Sequence, residues 1–403
     1  MGIYRDLART PGVFRILLSQ LTARFPFGML SITILLHIQL IYGNYTSAGI
    51  ILAAQSVGQA IAGPFISRLM GRLGMRGVLF VTTAICSALL LLVALTKFPL
   101  VWVTIIAFFI GITTPPITSA VRTIYPKLVE GKQISALFSL DASAQEIIWI
   151  IGPVVAVFVS VQIGTVWGLL LAAVFMFGGG LWFILSPEIG RVTIPPARGR
   201  LGAVLRRPTV VIATVVNFFF VASFAALEAG IVGAFGHEGI ESGIILAIFS
   251  VGSILGGLFI GHRDITPWSL TIRAVIVLVG TAACLVSLDA VWLSIMLFIG
   301  GIGVAPMFAA LFTTVSSTVR FSETAEAYAW LGTGMLVGVA LGSAIAGIAI
   351  DASGGFGGML VSTLFLIAAV IASVISVPWL PDLRGKDASP IPDTTPIQLP
   401  HQG

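Results

Sequence analysis

The 18 residues from Gly49, GIILAAQSVGQAIAGPFI, recur 194 positions later from Gly243 as GIILAIFSVGSILGGLFI, with 11 of the 18 identical in register. A second echo follows in the same order. TAIC at 83–86, VW at 101–102, FIGI at 109–112 and Pro115 are answered by TAAC at 281–284, VW at 291–292, FIGG at 298–301 and Pro306. Apolar helices share a small alphabet, but shared Gly, Trp, Cys and Pro positions in one order are not a product of that alphabet. The chain therefore reads as two related halves in tandem. Duplicated halves of membrane proteins are typical of secondary transporters, which hold their substrate between the repeats near the bilayer midplane.

The repeats lie in membrane-type sequence. Of 403 residues, 57% are hydrophobic and 9% charged, where a soluble chain carries about 25% charged residues. Runs of about 20 apolar residues span a bilayer as helices. The sequence predicts twelve of them, at 14–41, 47–69, 77–96, 99–121, 134–162 and 165–186, then 209–236, 242–261, 271–288, 290–314, 324–350 and 357–380. The expected fold is an all-α membrane protein of two pseudo-symmetric six-helix bundles related by rotation about the membrane normal. Its parts are an N-terminal bundle 1–187, a central loop 188–208, a C-terminal bundle 209–382 and a disordered tail 383–403.

Orientation follows from the basic residues, because Lys and Arg near span ends stay cytoplasmic. With the N-terminus inside, every one of the 21 basic residues except Lys97 and Arg24 falls on the cytoplasmic side. Both termini, the central loop with Arg198 and the tail are then cytoplasmic, and the chain is a multi-pass protein of the cell membrane. The net charge of +5 reflects this topology, and nucleic acid is not an expected partner. The first apolar run is too long for a cleavable signal. Cys86 and Cys284 fall mid-span in equivalent helices and read as small packing residues. Asn44-Tyr45-Thr46 fits a glycosylation sequon but reads as a tight turn.

An ionisable group at bilayer depth costs at least ~2.5–3.5 kcal/mol and should face the bundle interior or a cavity. Arg24, Glu146 and Glu228 are the candidates; the other acidic residues are expected in loops. Arg24 lies about 15 Å of helical rise into the first span, on one face with Gln20, Gly28 and Ser31, and Pro26 should loosen that turn. Glu146 has a matching depth in the fifth span, on a face with Ser139, Ser143 and Pro153, and Gly152-Pro153 should interrupt that helix. The two charges should approach within salt-bridge or single-water distance. Glu146 is also a candidate proton carrier. Glu228 lies toward the outer end of the seventh span, as a candidate outer gate. Gln55 and Gln59 become Phe249 and Ser253 in the repeat, which marks one half as specialised for substrate. With Asn217 and Trp330 they complete the expected cavity around Arg24. Trp149 is a further candidate for its wall, and a lone His37 reads as packed.

The whole pattern resembles the major facilitator superfamily, with twelve spans in two sixes, a cytoplasmic central loop and both termini inside. The family's loop between spans two and three has the form G-x-x-x-D-R-x-G-R-[RK]. Here Arg72, Gly74 and Arg76 match, while Ser67, Gly71 and Met75 replace the leading Gly, the Asp and a basic residue. The resemblance implies that the latch made by that Asp between the halves is missing. The glycine ladder that marks antiporters in span five survives only as Gly152-Pro153. Leu21 to Gly28, Ala226-Leu227-Glu228 and Glu326-Ala327-Tyr328-Ala329-Trp330 are similar to bacterial members.

Composition and motifs favour a monomeric secondary transporter of a small molecule over other classes. Proton-coupled export of a partly hydrophobic compound is the leading expectation, because few charged groups line the helices; an uptake symporter or a uniporter is the alternative. No G-x-x-x-x-G-K-[ST] loop is present for nucleotide hydrolysis. The 4 His residues are too scattered for enzyme chemistry, and no cofactor or metal site is expected. A receptor or scaffold would carry a further soluble domain.

Overall fold

The computed structural model describes residues 2–197, 200–235 and 240–393; Arg198 and the tail beyond 393 lie outside them. Eleven helices among these residues are long and apolar enough to cross a membrane, and Ser269–Ala283 is a shorter apolar helix. They occupy all twelve expected positions. Spans 1–3 are Val13–Tyr42, Tyr45–Leu73 and Met75–Leu95. Span 5 is Gly131–Gln162, and span 6 runs from Thr165 to Leu185 through a π-helical turn at Phe175–Gly179. Spans 7–9 are Pro208–Phe235, Ile240–Ile260 and Ser269–Ala283. Spans 11 and 12 are Thr324–Ser353 and Gly355–Ser376. Asn44 caps span 2, its side chain accepting from Ser47 N at 2.8 Å, so the sequon forms a tight turn.

The breaks are not where the prolines of spans 1 and 5 suggest. Span 1 passes through Pro26 and span 5 through Pro153 as continuous helices. Membrane helices tolerate proline because neighbouring helices, side chains or local adjustment of the helix can re-satisfy the freed carbonyls. Span 4 breaks instead, into Leu100–Thr113 and Ile117–Leu128 around Pro115-Pro116. Span 10 breaks at the matching place, into Ala290–Gly301 and Val304–Thr318. The sequence echo that ends at Pro115 and Pro306 thus marks one shared hinge.

Contacts repeat with the sequence. A Cβ on Gly111 of span 4 would lie 2.8 Å from Gln59 N of span 2, and one on Gly301 of span 10 would lie 3.1 Å from Ser253 N of span 8. Spans 1 and 5 meet where a Cβ on Gly152 would lie 2.8 Å from the Gly28 carbonyl carbon; spans 7 and 11 meet where one on Gly342 would lie 2.9 Å from that of Ala222. Small residues at these crossings let the backbones touch. Overpacking such a crossing costs about 1–3 kcal/mol. Gly111→Val and Gly301→Val are therefore expected to lower the melting temperature of the detergent-solubilised chain. Gly63→Ala and Gly347→Ala, with nothing within 4 Å, should leave it unchanged. An unaltered Gly111→Val protein would contradict the packing described.

Two segments were not legible as ordered elements. Gly2–Arg9 forms a short helix ahead of span 1, and its Tyr4 hydroxyl donates to the Gly257 carbonyl at 2.7 Å. The tail, expected to be disordered from 383, is held as far as Asp393. Ile391 pairs with the segment after span 10, donating to Val319 O at 2.9 Å, and Asp393 accepts from Ser322 N at 3.2 Å. These bonds satisfy backbone groups that the break between spans 10 and 11 leaves open. The Gly2–Arg9 helix and the segment up to Asp393 lie on one face of the molecule, together with the described part of the central loop.

Candidate functional site

The two halves join through two flanking seams. In the first, span 5 faces span 8. Ser135 donates to the Gly261 carbonyl at 2.9 Å, and Ser139 to that of Gly257 at 2.8 Å. Two turns further along span 5, Glu146 accepts from the hydroxyls of Ser253 at 2.8 Å and Ser250 at 3.2 Å. In the second seam, span 11 faces span 2. Glu326 pairs with Arg68 at 3.2 Å near the termini face, and Thr333 donates to the Ala60 carbonyl at 3.2 Å near mid-depth. Spans 4 and 10 pack across the halves chiefly through their segments nearest the termini, Ile117–Leu128 and Val304–Thr318.

Beyond Glu146 and Thr333 the same helix faces open. Val157 on span 5 is exposed, as are Val337, Ala340 and Ala344 on span 11 and Gly49, Ala53 and Ser56 on span 2. These residues continue, at helical spacing, the faces that bond across the halves below. The hydrogen bonds between the halves thus lie on the termini side, and the same helix faces are exposed on the opposite side. The half-buried Glu146 stands at the level where the bonds give way to the exposed faces. Its partner Ser253 is the residue that replaces Gln59 in the repeat, so the asymmetry visible in the sequence falls on this contact.

Arg24 does not meet Glu146. Its guanidinium donates to Gln20 Oε1 at 2.8 Å and to Asp141 Oδ1 at 3.1 Å, and Gln20 Nε2 donates to the same carboxylate oxygen at 2.9 Å. Helix geometry explains the exchange. At 3.6 residues per turn, Asp141 and Ile148 share a face of span 5, seven residues apart, whereas Glu146 lies about 200° around from Ile148. Ile148 and Gly152 pack against Gly28, so that face carries Asp141 to Arg24 and turns Glu146 toward the other half. Acidic groups within helices are thus not confined to Glu146 and Glu228. Asp141 and Glu326 are buried helical residues as well.

The cluster around Asp141 holds a second cation. Arg122, buried in the second segment of span 4, places Nε 3.8 Å from Asp141 Oδ2. Its guanidinium carbon lies 3.4 Å from the ring centroid of Phe312, which belongs to span 10 in the opposite half. In sequence Arg122 was only a marker of orientation, and Phe312 carried no signal.

The remaining expected cavity residues are dispersed. Asn217 is buried between spans 7 and 11, donating to the Leu331 carbonyl at 3.0 Å. Gln55 and Gln59 are half-buried on span 2, and Gln55 Oε1 has no hydrogen-bond partner among the described residues. Trp330 sits near the termini face rather than mid-span; a Cβ on Gly202 of the central loop would lie 4.0 Å from its Cζ2. Trp149 is exposed, whereas His37 is buried and bonded, to Thr165 Oγ1 at 3.0 Å and the Val93 carbonyl at 3.3 Å. Glu228 is exposed toward the face opposite the termini, and makes no hydrogen bond or ion pair among the described residues.

In the loop between spans 2 and 3, Gly74 turns the chain at φ 84°. Arg76 donates to the carbonyls of Ile184 at 3.1 Å and Ser186 at 3.2 Å, closing the open end of span 6. Arg72 lines a shallow cavity of about 290 Å³ with Arg68, Arg200 and Phe65. Gly71, where the Asp of the loop motif is replaced, packs on the central loop: a Cβ there would lie 3.0 Å from the Pro195 carbonyl oxygen. The loop is pinned further along by Glu326, which accepts from Gly202 N at 2.6 Å. Gly71→Asp would drive a carboxylate against a carbonyl, and is expected to loosen this loop. Faster tryptic cleavage at Arg200 in the folded variant would show it; unchanged cleavage would refute it.

The sequence matches the family model of the Major Facilitator Superfamily over residues 16–288 and 210–399. The chain belongs to the major facilitator superfamily. Solved members share its fold at low identity. The human organic anion transporter MFSD10 (TETRAN) superposes with a TM-score of 0.68 and 13% identity, over 90% of this chain and 98% of that one. A bacterial homologue of the iron transporter ferroportin in an outward-facing state gives 0.70 and 12%, over 91% and 98%. No curated protein matches the sequence. A superfamily member is a multi-pass membrane transport protein. Among the described residues no three or more His, Cys, Asp or Glu side chains are gathered as a metal site.

Proposed function

We propose that this superfamily member is a proton-coupled exporter of a small, partly hydrophobic compound across the cell membrane. The bundles 1–187 and 209–382 alternate about the central loop; with the termini face read as cytoplasmic, this conformation is read as outward-open. The observation that carries the reading is Glu146: a carboxylate at the floor of the cleft whose two hydrogen bonds come from the opposite half.

Hydrogen bonds to a charged acceptor contribute about 1.5–3 kcal/mol each, and neutral ones about 0.5–1.5. A proton entering from the open cleft neutralises Glu146 and weakens its hold on Ser250 and Ser253. The seam between spans 5 and 8 can then part, and the proton leaves on the cytoplasmic side as cargo loads. The cleft above Glu146 is walled by Val157, Val337 and other small or apolar side chains, which suits a partly hydrophobic cargo. Gln55, Gln59, Asn217 and Trp330 line the route at other stages of the cycle, and Glu228 guards its outer mouth.

Purified protein in liposomes, with an imposed pH gradient and a panel of amphiphilic dyes, tests the reading. Dye should move against the direction of proton flow and dissipate the gradient. Movement with protons would make the protein a symporter, and movement indifferent to the gradient a uniporter; either overturns proton-coupled export.

A further inference from the structure

The cluster below the cleft holds two guanidinium groups, Arg24 and Arg122, against one carboxylate, Asp141. All three are buried. Among the described residues the titratable side chains that act on Arg122 are Asp141, Arg24, Tyr125 and Tyr328, with Asp141 the one acid among them. Among the described residues Arg122 Nε, Asp141 Oδ2 and the Tyr125 hydroxyl are each buried without a hydrogen bond of ordinary length and angle, although Tyr125 lies beside Asp141. Such groups in a folded protein call for an explanation. Two buried cations that share a single acid call for one more strongly.

What covers Arg122 comes from the other half. Its guanidinium stacks on Phe312, and Tyr328 of span 11 meets the same ring edge-on at 6.3 Å. A cation over an aromatic face is attracted to it, but the ring accepts no N–H hydrogen bond as a carboxylate does. Phe312 also ends an aromatic run that starts beside Ser250: Phe249 meets Phe224 at 5.6 Å, Phe224 meets Phe308 at 6.4 Å, and Phe308 stacks on Phe312 at 5.8 Å.

We infer that Arg122, with Arg24 and Tyr125, is the recognition site for the carboxylate of an amphiphilic cargo, and that Phe312 is its state-dependent cover. The inference rests on the alternating-access reading and assigns the cargo class within it. When the halves part on the termini side, Phe312 leaves with its own half. Arg122 Nε and the Tyr125 hydroxyl then present two donors to one anion, whose single negative charge balances the cluster. The apolar body of the cargo lies along Phe308 and Phe312. On closure the ring replaces the anion over Arg122, and the cargo is expelled toward the cleft.

Full-length protein in detergent, with benzoate, its neutral isostere benzamide and the cation benzylamine as probes, tests this. Benzoate should raise the melting temperature, and the other two should bind at least tenfold more weakly. Arg122→Gln should lose the discrimination, and Arg122→Lys should retain part of it as a folded control. Phe312→Leu should bind benzoate more tightly than the parent, because the cover is removed. A purely structural cation–π contact predicts only a less stable protein. Equal binding of benzoate and benzamide, no stabilisation by benzoate in the parent or Phe312→Leu, or unchanged discrimination in Arg122→Gln would each overturn the assignment. Anion-selective binding without any gradient-driven transport leaves the site and removes the exporter reading. Gradient-driven dye transport without anion selectivity does the reverse.

Discussion

Asp141→Asn is expected to be the most damaging single substitution in the N-terminal half. Asp141 is fully buried and accepts from Gln20 and Arg24 while facing Arg122. Removing one partner of a buried ion pair costs about 3–5 kcal/mol, because the other charge is left uncompensated. Here the loss leaves two like charges in one buried site. Arg24→Gln leaves instead a neutral set, Asp141 with Arg122, and should be milder. The double variant Arg24→Gln/Asp141→Asn returns the cluster to a single excess positive charge, as in the parent, and should recover part of the loss. Yield of folded protein after size-exclusion chromatography, with melting temperature, ranks the three. A Glu146→Gln/Arg24→Gln pair should show no such recovery, since these residues belong to different networks. Equal damage from Arg24→Gln and Asp141→Asn would contradict the charge balance described.

The fold was legible because membrane spans write themselves as long apolar runs, and because the duplicated segment repeats. Gly58 and Gly252, equivalent in the two copies, each face a carbonyl of the packed helix, Phe108 in one half and Phe298 in the other, one residue away from the register of the FIGI and FIGG echo. The family also followed from this pattern. What could not be read was which acid meets which base. Asp141 lies seven residues into the expected fifth span and was treated as a loop residue; extension of the helix back to Gly131 places it more than two turns deep. Arg24 and Glu146 were matched by depth alone. Depth does not fix azimuth, and about 200° of helix rotation separates Glu146 from the face that packs on span 1. Arg122 was hidden for a different reason. A basic residue near a span end is ordinarily a topological marker, and its partner Phe312 lies in the other half, beyond any local pattern. The docking of 383–393 was obscured by composition, since prolines and polar residues suit an extended segment docked on loops as well as a disordered one.

Glu146→Gln is expected to separate the two activities that an alternating-access exporter combines. The amide has the shape of the protonated acid: its oxygen can accept from one serine while its NH2 donates to the other hydroxyl, so folding should survive while the tie across the seam is weakened, as in the protonated parent. It cannot take up or release a proton. Accumulation driven by a pH gradient should therefore fall to the background of empty vesicles, while exchange of labelled for unlabelled cargo at equal pH continues. Ser250→Ala with Ser253→Ala acts on the same contact from the other side. That variant keeps the titrating group but removes the donors that tie it to the opposite half, at about 1.5–3 kcal/mol for each charge-assisted bond. It should stay proton-coupled yet spend less time closed on the termini side, which cysteine accessibility near Ser139 and Gly257 would report. If gradient-driven transport by Glu146→Gln equals that of the parent, proton carriage lies elsewhere. Glu146 would then be a structural tie between spans 5 and 8, and Glu228, exposed on the same open side, would be the next carboxylate to test.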